Sequence, residues 1–450
     1  MDISGELFRT MTKDVVIIGA GLAGSECAWQ LARRQIPVKL IDMKPENYSQ
    51  AHHSPLFAEL VCSNSLRSNE LSNAVGLLKE EMRRMDSLIM ESADATKVPA
   101  GGALAVDRDG FSRYITEKLE MNPYVTVEHR EVTEIPEGNV VIASGPLTSD
   151  SLAESIQSMC PEFSLHFFDA VAPIVSAETI DMSSAFLASR YDKGTPDYIN
   201  CPMNEQEYKD FIRELVSAEE AETHGFEDSK VFEGCMPVEV MARRGEDTLR
   251  FGPMKPVGLT DPHTGKEAYA IVQLRKDNLS GTMYNLVGFQ THLTWPEQKR
   301  IFSMIPALKN AEFVRYGVMH RNTYIDSPGH LDRYYRLISD PRIRFAGQMT
   351  GVEGYIESAA SGMLVGIETA AEILGLEQAD FPSTTAIGAL AAYISGGSIG
   401  PFQPMNVNFG IIDPLGYRVK GKRNKNLELS KRALETVSAI KNKEVFRICE

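Results

Sequence analysis

The first regular pattern in the chain is a short β-branched run, Val15 to Ile18, apolar at every position as a strand buried on both faces requires. The glycine-spaced turn Gly19-Ala20-Gly21-Leu22-Ala23-Gly24 follows at once. Ser25 to Arg34 then sets apolar side chains at helical spacing among good helix formers, and Pro37 to Ile41 predicts the next strand, closed by Asp42. Val140 to Gly145 reads as a third strand ending at glycine. Near the other end, Ile343 to Ala346 predicts a strand that runs into Gly347-Gln348-Met349-Thr350-Gly351-Val352-Glu353-Gly354-Tyr355. A helix rich in small residues is expected from Ile356 to Ile373.

Two glycine-rich strand-to-helix junctions, separated by most of the chain, predict one nucleotide-binding domain assembled from both ends. Between them, residues 156–325 change character, with many prolines and glycines and short alternating runs such as Ala268 to Leu274 and Tyr284 to Phe289. The expected fold is therefore α/β: a Rossmann-like domain from segments 1–155 and 326–450, interrupted by a mixed α+β insertion domain over 156–325.

The first junction carries specific chemistry. Gly19 must turn sharply, Gly21 must let a pyrophosphate approach the backbone, and Gly24 must let helix and strand pack closely. The helix N-terminus then receives the phosphates, and Asp42, the acidic residue closing the second strand, would hold ribose hydroxyls. The motif by itself does not separate FAD from NAD.

At 450 residues, with 43% hydrophobic and 24% charged residues, the composition fits a folded multidomain protein and excludes collagenous, coiled-coil and disordered classes. The net charge of −15 argues against a surface basic all over, as a nonspecific nucleic-acid coat would need. Against that background Arg418 to Arg447 holds ten Lys or Arg and three Glu, either a solvated, partly helical tail or a phosphate-contacting arm. Six cysteines lie far apart with no C-x-x-C pair and no zinc spacing, so neither a disulfide scaffold nor a metal site is expected. With no secretory signal pattern and no apolar run long enough to cross a bilayer, the sequence reads as cytoplasmic, with reduced thiols and no membrane association.

Five stretches carry a resemblance: Gly19 to Glu26, Glu59-Leu60-Val61-Cys62-Ser63-Asn64-Ser65-Leu66-Arg67-Ser68, Pro99 to Leu104, Phe232-Glu233-Gly234-Cys235-Met236-Pro237 and Gly351 to Tyr355. Together they resemble the folate- and FAD-dependent tRNA uracil-5-methyltransferase family, TrmFO, over nearly the whole chain. The related MnmG family shares the fold but not both cysteines in this setting. Where the TrmFO family often has Glu after the second strand, this chain has Asp42.

The resemblance implies that methylenetetrahydrofolate supplies a carbon, that FADH2 carries it and provides the hydride, and that NADH or NADPH reduces the flavin. The product would be ribothymidine in the tRNA T-loop. Uracil C5 is a poor nucleophile until something adds at C6, and a thiolate suits that addition. Cys235 matches the family's nucleophile, and Cys62 lies in the loop the family places beside the flavin. The cofactor residues implied are Gly19, Ala20, Gly21, Leu22, Ala23, Gly24, Asp42, Gly347, Gly351, Gly354 and Tyr355, the tyrosine stacking on the flavin ring or filling the core. Cys27, Cys160, Cys201 and Cys449 read as packing residues. His52 and His53 precede the Cys62 loop without an assigned role, and Arg67, Arg243, Arg244, Arg275 and Lys276 either meet phosphates or the folate glutamate tail or are ordinary solvated or ion-paired residues. Other readings are the same chemistry on ribosomal RNA, a flavin-dependent thiol/disulfide oxidoreductase, and an RNA-binding protein with a structural flavin. Oligomeric state is not read from the sequence.

Overall fold

A computed structural model describes residues 14–49, 51–160, 167–170, 172–192, 195–221, 236–277, 281–317, 319–396, 402 and 404–447. Val15–Ile18 is the central strand of a five-stranded parallel sheet. On one side it pairs with Val38–Asp42, which pairs with Val125–His129; on the other it pairs with Asn139–Ile142, which pairs with Ile343–Phe345. Both ends of the chain thus supply strands to one sheet. The β-branched strands Val15–Ile18 and Asn139–Ile142 are almost wholly buried, as strands covered on both faces must be.

Two helices lie against each other over this sheet: Leu22–Ala32, from the first glycine turn, and Tyr355–Leu374, from the second. Their close approach depends on small residues. A Cβ on Gly362 would fall 2.1 Å from the Ala23 carbonyl oxygen, and one on Gly366 would fall 2.9 Å from that of Cys27. One hydrophobic core runs through this body from Val15 to Cys160 and again from Ile325 to Phe446.

A second core, from Val175 to Ala311, is built on a six-stranded antiparallel sheet. Its order is Phe186–Ala188, Tyr198–Met203, Ala270–Lys276, Met283–Leu286, Ile174–Ser176, Phe313–Arg315. The chain enters and leaves this body along Phe167–Ala170 and Met319–Asn322, which pair antiparallel. The basic C-terminal stretch forms the helix Lys422–Ile440, whose buried face of Leu429, Ala433, Leu434, Val437 and Ile440 joins the first core. No helix among the described residues is long and apolar enough to cross a membrane.

Candidate active site

A cleft opens at the carboxyl ends of the parallel strands, walled by Ile18, Gly19, Gly21, Asp42 and Ser144. The glycines at its floor do different things. Gly19 has φ +99°, and a Cβ there would sit 2.6 Å from the Ala143 carbonyl oxygen. Gly24 lies inside the first helical turn, where a Cβ would fall 1.8 Å from the Gly19 carbonyl oxygen. Gly21, the N-cap of that helix, has no described atom within 4 Å of an added Cβ. No described protein atom explains why residue 21 lacks a side chain, and the open space lies over a helix N-terminus, where an anion could approach the backbone.

Asp42 is 8% exposed and faces the same cleft. One carboxylate oxygen accepts the Ala20 N–H at 2.7 Å, the other the Lys44 N–H at 2.9 Å. Each oxygen therefore keeps a lone pair for a ribose hydroxyl. The residues present fit the adenosine-diphosphate half of a dinucleotide such as FAD: backbone N–H groups for phosphate, Asp42 for ribose, and Val132 and Leu152 as apolar wall for a base.

Lys44, His52 and Glu59 also border the cleft. Burial pulls the Lys44 ammonium below its ordinary value, against the opposing pull of Asp42 and Glu59. Burial, aided by the Lys44 charge, lowers the His52 imidazole, which favours its neutral form. Its Nδ1 meets the Ser49 hydroxyl at 2.6 Å. The His53 N–H donates to Glu59 at 3.0 Å.

The second glycine junction closes against the first. Gly347 has φ +89°, donates its N–H to the Ser361 hydroxyl at 2.7 Å and lies beside Ala23. Gly351, at φ +89°, packs under the Phe402 ring, and Gly354, at φ +112°, caps the helix that begins at Tyr355. The Tyr355 phenol oxygen accepts the N–H groups of Cys62 at 2.8 Å and Ser63 at 3.2 Å. Burial pushes that phenol far above its ordinary value, so it stays protonated. The tyrosine thereby ties the second junction to the Cys62 loop.

Arginines from three directions hold the same loop. Arg108 donates to the Leu60 carbonyl and, at 3.5 Å, to that of Cys62, while forming an ion pair of 2.9 Å with Asp277. Arg315 donates to the Val61 carbonyl. Arg275 donates to the Ser63 hydroxyl at 2.5 Å and the Asn64 side-chain oxygen at 3.2 Å. Asn64 in turn donates to the Val106 and Lys276 carbonyls at 3.0 and 2.7 Å. Arg108 and Arg315 are the residues that sequence reasoning missed; no local spacing connects either to residue 62. Arg67 pairs with Glu357 and Arg243 with Glu220, whereas Arg275 is neither solvated nor in a described ion pair but buried at 7% exposure.

Cys62 is partly exposed, as a reactive position requires. Cys27 and Cys201 are fully buried, and burial raises both thiols well above the ordinary value, which fits packing roles; Cys160 is also buried. Cys235 and Cys449 lie outside the described residues.

A family model described as glucose inhibited division protein A matches residues 14–377. The chain is 62% identical over 420 residues to a protein of Acetivibrio thermocellus named methylenetetrahydrofolate–tRNA-(uracil-5-)-methyltransferase TrmFO, covering 93% of this chain and 96% of that one. Proteins of the same name from Lactobacillus gasseri and Listeria welshimeri are 58% and 56% identical over 435 and 430 residues, each covering 96% of this chain and 99% of the relative. The solved GidA structure of Aquifex aeolicus in its form I crystal superposes with a TM-score of 0.68 at 15% identity, over 97% of this chain and 77% of that one. That likeness shows the fold: a mixed α/β architecture with a parallel sheet.

Proposed function

This chain belongs to the TrmFO family of methylenetetrahydrofolate–tRNA-(uracil-5-)-methyltransferases, and on that premise we propose that it methylates C5 of a uridine in the tRNA T-loop, forming ribothymidine. The observation that carries the reading is identity above one half along nearly the entire length of proteins so named. Methylenetetrahydrofolate brings a carbon one hydride short of a methyl group, so the reaction needs a reductant as well as a carbon donor. Flavin bound at the glycine-walled cleft would supply the one-carbon and hydride chemistry, with NADH or NADPH as the source of electrons.

The chain's own residues have three tasks. Gly19 to Gly24, with Asp42, hold the dinucleotide in a Rossmann-like arrangement, and Gly347, Gly351, Gly354 and Tyr355 bound it from the other end of the chain. Cys235, as thiolate, adds to uracil C6; the bond formed there makes C5 a carbon nucleophile, and the thiolate leaves once C5 has lost its proton. Cys62 stands in a loop fixed by Tyr355, where it assists proton removal or shields the reacting carbon. Segments 1–155 and 326–450 form the cofactor domain and 156–325 the insertion, in a protein working among reduced thiols in the cytoplasm. The tRNA target is favoured over ribosomal RNA because the relatives' names specify tRNA.

The test is incubation of purified protein with unmodified tRNA, NAD(P)H and labelled methylenetetrahydrofolate. Label is expected in a uracil methyl group, and S-adenosylmethionine is expected not to replace the folate. Cys235→Ala should retain FAD yet form no covalent complex with RNA containing 5-fluorouracil; a complex that persists removes Cys235 from its role.

A further inference from the structure

The loop carrying Cys62 is held by side chains of both bodies. Arg108 comes from the first body, at the start of the helix Arg108–Glu120, and Arg275 and Arg315 come from the antiparallel sheet of the second. Among the described residues, the charged and titratable side chains seen to meet this loop are Arg108, with its partner Asp277, Arg275, Arg315 and Tyr355. Among the described residues, three cations, one carboxylate and a phenol that stays protonated thus lie against the loop that carries a partly exposed thiol. The three cations are not equivalent. Arg108 is neutralised by Asp277 through contacts of 3.1 and 2.9 Å. Arg275 is turned onto Ser63 and Asn64. Arg315 gives one nitrogen to the Val61 carbonyl, and its Nε is buried with no hydrogen-bond partner among the described residues. Burial, then the Arg108 charge, pulls its guanidinium below the ordinary value, while Tyr355, Cys62 and Asp277 act in the opposite direction.

We propose that Arg315 is a positioning residue for Cys62, clamping the Val61 carbonyl and directing a guanidinium that makes no ion pair with the described residues toward the neighbouring sulfur so that its thiolate form is favoured. Coulombic coupling is reciprocal: a thiolate that sustains the charge on Arg315 is itself sustained by that charge. Because Arg315 belongs to the edge strand Phe313–Arg315 of the second body, the reactivity of Cys62 depends on how that body docks against the loop. The inference rests on the methyl-transfer reading only for the importance of Cys62.

The experiment follows alkylation of Cys62 by iodoacetamide in the flavin-loaded protein, quantified on its own peptide by mass spectrometry from about pH 5 to about pH 10. The wild-type midpoint is expected about one unit below the free-cysteine value of about 8.5. Arg315→Gln keeps a hydrogen-bond donor but loses the charge; its midpoint should rise by about one unit and its rate near neutral pH fall about tenfold. Arg315→Lys restores the charge and should return the midpoint toward wild type. An unchanged midpoint in folded Arg315→Gln, or a lysine variant that behaves like the glutamine one, overturns the proposal. If Arg315→Gln does not fold, the wild-type curve decides, since a midpoint at or above that of free cysteine is equally fatal. Neither RNA nor folate is present, so failure here leaves the methyl-transfer reading standing, and failure of labelled carbon to reach RNA leaves this one standing.

Discussion

Replacing Gly21 and Gly24 separately by alanine distinguishes a glycine kept for a ligand from one kept for the fold. At Gly24 the new Cβ would lie 1.8 Å from the Gly19 carbonyl oxygen and 3.0 Å from its carbon, and both obstacles are backbone. Reaching even 3.0 Å from the oxygen requires the helix Leu22–Ala32 to withdraw by 3.0 − 1.8 = 1.2 Å. That helix is wedged against Tyr355–Leu374 at Gly362 and Gly366, so it has little room to retreat. Overpacking of this kind costs about 1 to 3 kcal/mol, and backbone obstruction places Gly24→Ala at the upper end. Gly21 has φ −71°, which alanine adopts freely, and no described atom within 4 Å of the added methyl. The loss of a tolerated N-cap and the lower entropy of the unfolded chain nearly offset each other, so stability should move by less than about 1 kcal/mol.

Cofactor affinity should respond at position 21. A methyl group between the helix N-terminus and a pyrophosphate displaces at least one charge-assisted hydrogen bond, worth about 1.5 to 3 kcal/mol, or roughly a 10- to 100-fold weaker Kd. The assay pairs urea unfolding of the flavin-free proteins with titration of FAD fluorescence. Gly24→Ala should lose stability, and Gly21→Ala should lose FAD at nearly unchanged stability. Wild-type FAD affinity in Gly21→Ala would refute the claim that the space over residue 21 belongs to the cofactor.

Two further outcomes are expected. The Arg108–Asp277 pair is mostly buried, with side-chain exposures of 15% and 2%. Removing either partner alone should destabilise the protein by about 3 kcal/mol, and removing both should cost clearly less than the sum; strict additivity in denaturant midpoints would show the pair to be uncoupled. Lys79 donates to the Arg67 and Ser68 carbonyls at 3.2 and 2.5 Å, and burial first, then the Arg67 and Arg83 charges, pull its ammonium down to about 7. The unfolded chain therefore binds the extra proton between about pH 7 and about pH 10.5, so this group adds stability as pH rises through that window and withdraws it as pH falls toward 7, by at most about 1.4 kcal/mol per unit. Lys79→Met should flatten that part of the stability profile, and an unchanged slope, measured by urea unfolding, would place the pH dependence elsewhere.

What the sequence made legible tracks the range of the interactions involved. Strand, turn and helix at the first junction are consecutive, so local pattern found them, yet the helix begins at Leu22 rather than at Ser25. The glycine turn ends at its N-cap, Gly21, and Leu22 to Gly24 already form the first helical turn. The pairing of Ile343–Phe345 with Asn139–Ile142 is non-local, but the repeated strand-to-glycine junction pointed to it. The antiparallel sheet was harder. Ile174–Ser176 lies between Met283–Leu286 and Phe313–Arg315, an order no alternation of apolar residues encodes. The alternating run Ala268 to Leu274 falls mostly within a strand that goes from Ala270 to Lys276 and so takes in the charged Arg275 and Lys276. Arg275 pairs with Asn285 across the sheet while its side chain reaches Ser63 and Asn64, so its burial is purchased by partners in the other body.

The same reasoning explains why the cysteine loop could be found and its holders could not. Cys62 sits among short polar residues, a local signature at odds with a core position. Arg108, Arg275 and Arg315 are ordinary arginines in ordinary surroundings until the fold brings them to one set of carbonyls and hydroxyls. A backbone carbonyl carries no side-chain identity, so a guanidinium that recognises one leaves no complementary residue to search for. Loops fixed through main-chain oxygens therefore hide their supports from single-sequence reading. Among these supports Arg315 is the one whose charge is coupled to the Cys62 thiol, and how much of such a charge survives depends on whether a carboxylate has already claimed it, as Asp277 has claimed Arg108.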